Sequence, residues 1–133
     1  IDEEAVTHNA EILKTQFAAE INFLRNARHY YQYGKLLITH AGFDSTAENW
    51  QDTSNQDFLW IREHYLQPNQ TGLINIFGHT PTRNMHKIDD IWISPCQSYI
   101  DIDGGCAYGG QLNALLISEQ GEILETFVEH SDK

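Results

Sequence analysis

The sequence predicts a mixed α/β domain of the α+β kind, with two main helices and a mixed to mainly antiparallel sheet. Three observations carry that expectation. Apolar residues recur at helical spacing within residues 9 to 30, at Leu13, Phe17, Ile21 and Leu24. Two nearly continuous apolar runs, Lys35 to Thr39 and Leu73 to Phe77, are too short for helices and read as strands buried on both faces. Beyond them, short β-prone segments near 85–88, 91–94, 98–102, 112–118 and 122–129 alternate with turn residues.

Taken in order, the first helix leaves through a Tyr-rich stretch and stops at Gly34. The first strand is apolar at Leu36, Leu37 and Ile38. Residues 42 to 56 are polar and small, hence a loop. Ser54, with Asp57 three positions on, is placed to cap a short helix through Phe58, Ile61 and Tyr65, which Pro68 and Gly72 end. After the second strand, Pro81 prevents further strand pairing. Glu119-Gln-Gly121-Glu closes a hairpin, with Gly121 able to take positive φ. No repeat, low-complexity stretch or internal boundary interrupts residues 1–133, which read as a single domain.

Composition narrows the function classes. A chain that is 41% hydrophobic and 11% aromatic can build a core and is not of disordered type. No apolar stretch approaches the ~20 residues of a membrane helix, and no signal-peptide pattern opens the chain. Eight basic residues against nineteen acidic ones give a formal charge of −11, which disfavours nucleic acid as a partner. A small phosphorylated substrate is still compatible, because bound divalent cations reverse the local field. Cys96 and Cys106 are too few for a disulfide framework, so a reduced, cytoplasmic setting is expected. The chain opens at Ile1 without a methionine and reads as a piece of something longer.

Two histidines dominate the candidate site. His40 and His79 each follow an apolar strand and precede small or turn residues, which puts both at carboxyl ends of strands, where α/β sheets collect ligands. Neutral imidazole suits transition metals, and the repeated pattern favours a shared metal site over two unrelated structural histidines. Gly42 and Gly78 suggest close approach of the backbone to something. A structural zinc site using Cys96 and Cys106 is disfavoured, since no close ligand pair occurs. His8, His29, His64, His86 and His130 are assigned solvated or packing roles. Arg62 has the chemistry to bind phosphate, yet from spacing alone it reads as a surface arginine paired on its own helix. Asp101 and Asp103 share one strand face as solvent-facing groups, ligands or acceptors for loop amides. The glycines after them, at 104, 105, 109 and 110, would let backbone amides crowd a site.

Four ordered segments, His40-Ala-Gly42, Asp57-Phe-Leu-Trp-Ile-Arg62, Gly78-His-Thr-Pro81 and Ile102-Asp-Gly-Gly-Cys-Ala-Tyr-Gly-Gly-Gln-Leu112, together resemble the calcineurin-like metallophosphoesterases. They are most similar to the C-terminal half of the bacterial and phage-type Ser/Thr protein phosphatases, over about residues 30 to 118. Gly-His-Thr-Pro points to phosphomonoesterases, since related phosphodiesterases more often show Gly-His-Thr-His. The resemblance implies a four-layer α/β/β/α sandwich, of which this chain supplies a portion. It also implies hydrolysis of phosphoserine or phosphothreonine by two divalent metals, Mn foremost, with Fe or Zn as alternatives. His40 and His79 would ligate one of these metals, and Arg62 would bind the substrate phosphate. The family's remaining ligands and its proton donor lie in motifs of an N-terminal half, Gly-Asp-x-His-Gly, Gly-Asp-x-x-Asp-Arg-Gly and Gly-Asn-His-Glu, none of which occurs here. Gly104 also stands where the family usually has threonine. No catalytic residue is therefore assigned within this half, and the 133-residue chain is expected to be inactive alone and prone to self-association. The rival readings are hydrolysis of a dinucleoside polyphosphate or another small phosphate ester, and a non-catalytic metal-binding or interaction module.

Overall fold

The two apolar runs become neighbouring parallel strands at the centre of a mixed five-stranded sheet. The computed structural model describes residues 3–131, so Ile1 lies outside them. Its strands are β1 (Tyr30–Tyr33), β2 (Leu36–Thr39), β3 (Ile74–Phe77), β4 (Trp92–Ile93) and β5 (Tyr99–Asp101), in the order β1-β2-β3-β5-β4. The inner three run parallel, while β1 and β4 close the edges antiparallel. A separate hairpin, β6 (Gln111–Ile117) and β7 (Ile123–His130), follows, turned at Gly121 with φ 88°. The chain is therefore mixed α and β, with four short α-helices among the described residues where two were expected.

The departures from the sequence reading have local causes. Helix α1 (Glu3–Gln16) begins before residue 9, and the chain turns out of helical geometry at Phe17, with ψ at 35°, before α2 (Ala18–Arg25) resumes. Asn26 ends α2 by donating its side-chain amide to the Asn22 carbonyl, so 26–29 are not helical. The Tyr-rich stretch after it is edge strand β1, as suits aromatic side chains. Gly34, at φ 54°, makes the tight turn into β2. Of the β2 residues, Ile38 stays 39% exposed, so this strand is not buried throughout.

Helix α3 (Asn55–Trp60) has the expected cap: Ser54 Oγ accepts from the Asp57 N–H at 3.0 Å and donates to its carboxylate at 2.8 Å. It stops at Trp60, because Ile61 is extended and Glu63 left-handed, leaving Tyr65 on a separate 3-10 turn. Segment 85–88 is no strand. Pro81 presets a helical start and α4 (Arg83–His86) follows. Segment 98–102 supplies β5, which pairs parallel to β3, so the sheet centre is parallel rather than mainly antiparallel.

The two faces of the sheet carry separate cores. Leu37, Phe43, Phe58, Phe77 and Tyr99 pack on one face. Leu36, Ile76 and Ile100 pack on the other, against Leu115 and Ile117 of the hairpin. The hairpin is further tied down where the Lys35 amide donates to the Glu119 carbonyl. No helix among the described residues is long and apolar enough to cross a membrane.

Candidate metal centre

Parallel pairing of β2 with β3 sets Ile38 opposite Ile76, so both chains leave the sheet at the same level. The Gly78 amide donates to the His40 carbonyl at 2.9 Å, which locks the two exits together. His79 then takes a left-handed conformation, φ 68°, which is uncommon for a residue with a side chain. The two imidazoles end 5.1 Å apart between ring centroids, inclined at 55°. Trp60, at the end of α3, stands edge-on to His79 at 5.2 Å. Three segments separate in sequence thus converge at one sheet edge.

Electrostatics at His79 favour the neutral ring. Burial lowers its pKa first, followed by the positive charge of Arg62 and the neighbouring His40, while Asp103 opposes them. His79 Nε2 is buried and has no hydrogen-bond partner. Leaving a polar nitrogen unpaired is costly, and a metal ion is one partner that would relieve the cost. Among the described residues, however, no group of three or more His, Cys, Asp or Glu is placed to hold a metal. His40 and His79 could fill two positions of a coordination shell, and no third such residue joins them among the described residues.

Arg62 is exposed and sits just past α3, with its charge felt at His79. It has no carboxylate partner within salt-bridge distance among the described residues, contrary to the ion pair that its spacing suggested. Asp101 and Asp103 serve as acceptors for loop amides. Asp101 Oδ1 takes the Asp103 N–H and Asp103 Oδ1 takes the Gly105 N–H, each at 2.9 Å. Asp101 is fully buried with Oδ2 unpartnered. Burial raises its pKa to about 7, with the Asp103 amide opposing and the Asp103 carboxylate adding.

The residue that sequence reasoning undervalued is His64. The sequence offers it a solvated or a packing role, and it is a packing residue of a particular kind. The ring is buried, with Nε2 3.0 Å from Asn75 Oδ1. Asn75 donates its amide to the Leu37 carbonyl at 2.9 Å and to Thr39 Oγ1 at 3.0 Å. Its oxygen must then accept, which assigns the proton to His64 Nε2. Burial drives the His64 pKa down to about 4, with the Asn75 bond opposing. The Nδ1–Cε1–Nε2 edge of the same ring fills the space beside Gly42. A Cβ on Gly42 would lie 2.5 Å from Nδ1 and 2.6 Å from Nε2. The close approach expected at Gly42 is therefore to His64, and this wedge supports the end of β2 that carries His40. Gly78 shows no such constraint, since a Cβ there would make an ordinary 3.5 Å contact with Asp103. The signal for His64 in the sequence was Gly42 itself, which shows that space is needed but not which group fills it.

The cysteines are free. Cys96 is exposed on a turn between two serines, whose hydroxyls lie 3.3 and 3.0 Å from its sulfur and draw its pKa down to about 7. The chain matches no family model, no curated protein and no solved structure.

Proposed function

We propose that His40 and His79 are two ligands of a dinuclear metal centre that hydrolyses phosphate monoesters, phosphoserine and phosphothreonine in proteins being the substrates. The observation that carries this reading is the pair of imidazoles at one strand edge, with His79 Nε2 buried and unpartnered. Divalent ions held there would supply a hydroxide nucleophile and neutralise charge on the phosphate oxygens. The protein's part is to orient both rings and to favour the neutral form of His79. Burial and Arg62 hold His79 in its unprotonated form, Trp60 fixes one side of its ring, and the His64–Asn75–Thr39 chain fixes the strand end below His40. Arg62, free of any carboxylate partner among the described residues, is the group for the substrate phosphate. In the same reading the five-stranded sheet and the β6–β7 hairpin are portions of the two facing sheets of a four-layer sandwich, and the protein works in the cytoplasm.

The test is a Mn²⁺ titration of the 133-residue chain followed by NMR. Paramagnetic broadening is expected first at His40 and His79 and is expected to be lost in His40→Ala and His79→Ala. Broadening centred elsewhere would overturn the assignment. Because two imidazoles cannot hold two metals, the chain alone is expected to give no appreciable Mn²⁺-stimulated hydrolysis of p-nitrophenyl phosphate. Robust turnover would refute that. A second reading, a non-catalytic mononuclear binding module, is favoured by the lack of a third ligand among the described residues. It would gain if supplying the missing family motifs on a second polypeptide produced no hydrolysis of a phosphopeptide or of diadenosine tetraphosphate.

A further inference from the structure

The candidate centre opens on one side into a cavity of about 640 Å³ whose lining includes His40, Arg25, Arg28, Leu24, Tyr31 and Leu59. Arg25 ends α2 and Arg28 lies in the link to β1, so the bend after α2 brings both guanidinium-bearing residues to the wall that His40 shares. Their charge is unusual for this chain. Acidic residues outnumber basic ones nineteen to eight, yet Arg25 and Arg28 have no carboxylate within salt-bridge distance among the described residues. Arg83, by contrast, is held by both oxygens of Asp89. Three of the four arginines thus have no carboxylate partner among the described residues: Arg25 and Arg28, which line the cavity with His40, and Arg62, whose charge acts on His79.

Two properties of the cavity define what it would take. Guanidinium groups bind carboxylates through paired hydrogen bonds. Leu24 and Leu59 are 68% and 42% exposed, so the same wall offers apolar surface to the stem of a peptide side chain. No Asp or Glu among the described residues lines the cavity, and at physiological salt carboxylates more than about 8 Å away would be largely screened.

We infer that this cavity is a specificity subsite that receives acidic residues flanking the phosphorylated residue of a peptide substrate. The inference rests on the phosphomonoesterase reading for the phosphate itself, and on Arg25 and Arg28 for the flanks.

The experiment uses fluorescence anisotropy with the 133-residue chain, with and without Mn²⁺, and three labelled peptides. One carries phosphoserine flanked by glutamates, one is the same peptide unphosphorylated, and one carries phosphoserine flanked by lysines. The glutamate-flanked phosphopeptide is expected to bind about tenfold tighter than the lysine-flanked one, the effect of two exposed ion pairs. Arg25→Ala with Arg28→Ala removes the preference, and Arg25→Glu with Arg28→Glu reverses it, an outcome that misfolding would not produce. Equal binding of the two phosphopeptides, or a preference for lysine, overturns the subsite while leaving the phosphate reading intact. If the unphosphorylated acidic peptide binds as tightly as the phosphorylated one, the phosphate reading fails and the subsite stands. A preference that survives the double alanine variant assigns the acidic flanks to other residues and overturns the subsite.

Discussion

Substituting Gly42 by alanine tests how the strand end below His40 is held. The new Cβ would sit 2.5 and 2.6 Å from two nitrogens of the His64 ring, closer than side-chain carbons approach. The backbone there has φ +141°, a value that L residues rarely adopt. The ring cannot move without breaking its bond to Asn75, which would leave two buried polar groups unpaired. Overpacking and backbone strain are each worth about 1–3 kcal/mol, and a lost buried hydrogen bond about 1–3 more. These effects overlap, so a net loss of about 3–5 kcal/mol is expected, a large share of a typical domain's stability. Urea unfolding at neutral pH measures it. Gly78→Ala is the control, because its Cβ meets only an ordinary contact, and it should cost under about 1 kcal/mol. Adding His64→Ala to Gly42→Ala should recover part of the loss, with a coupling of about 0.5–3 kcal/mol. Equal costs for the two glycine variants, or strict additivity with His64→Ala, would refute the wedge.

Titration of two buried groups should show in stability. Asp101 has a folded pKa of about 7 against an ordinary 3.8, so its contribution is present in full below about pH 4 and is lost as pH rises through 7. Asp101→Asn should therefore gain about 4 kcal/mol relative to the parent between about pH 4 and pH 8, whatever its fixed offset. A difference that does not vary with pH would contradict this. His64 acts in the opposite sense, since its pKa falls from 6.5 to about 4 and its contribution is lost as pH drops through that value. His64→Asn should remove about 3 kcal/mol of that acid-side loss, read from the same urea series. Cys96, exposed and with a pKa of about 7, should be alkylated by iodoacetamide well before Cys106, and equal rates by mass spectrometry would count against it. Leu112, Leu116 and Phe127 expose an apolar stripe on the hairpin, and every residue of β7 is exposed, so the chain should associate as concentration rises. A clean monomer by light scattering across a dilution series would argue otherwise.

Strands β2 and β3, the Ser54 cap and the turn at Gly121 were legible in the sequence because each depends on neighbours along the chain. So was the placement of His40 and His79 past the ends of neighbouring strands, since an apolar run that stops at a histidine says where the strand stops. Edge strand β1, by contrast, was hidden in the Tyr-rich exit of the helix, and 85–88 is helical, not β. Helix 9–30 was read too simply, because periodicity does not register a single residue such as Phe17 leaving helical geometry. Its stripe of Leu13, Phe17 and Leu24 is exposed, so a regular pattern alone did not ensure burial.

By itself, then, the sequence determined the local vocabulary of this protein: short strands, caps, turns, and two imidazoles at strand exits. Only the tertiary structure decided that β5 pairs parallel with β3, that His64 fills the space beside Gly42, and that Asp101 is buried and bound to a loop amide. It also decided that Arg25 and Arg28 share a cavity with His40. The reason is physical. Spacing along a chain fixes which face a side chain takes, whereas pairing, burial and field depend on residues tens of positions away, brought close only when the sheet forms.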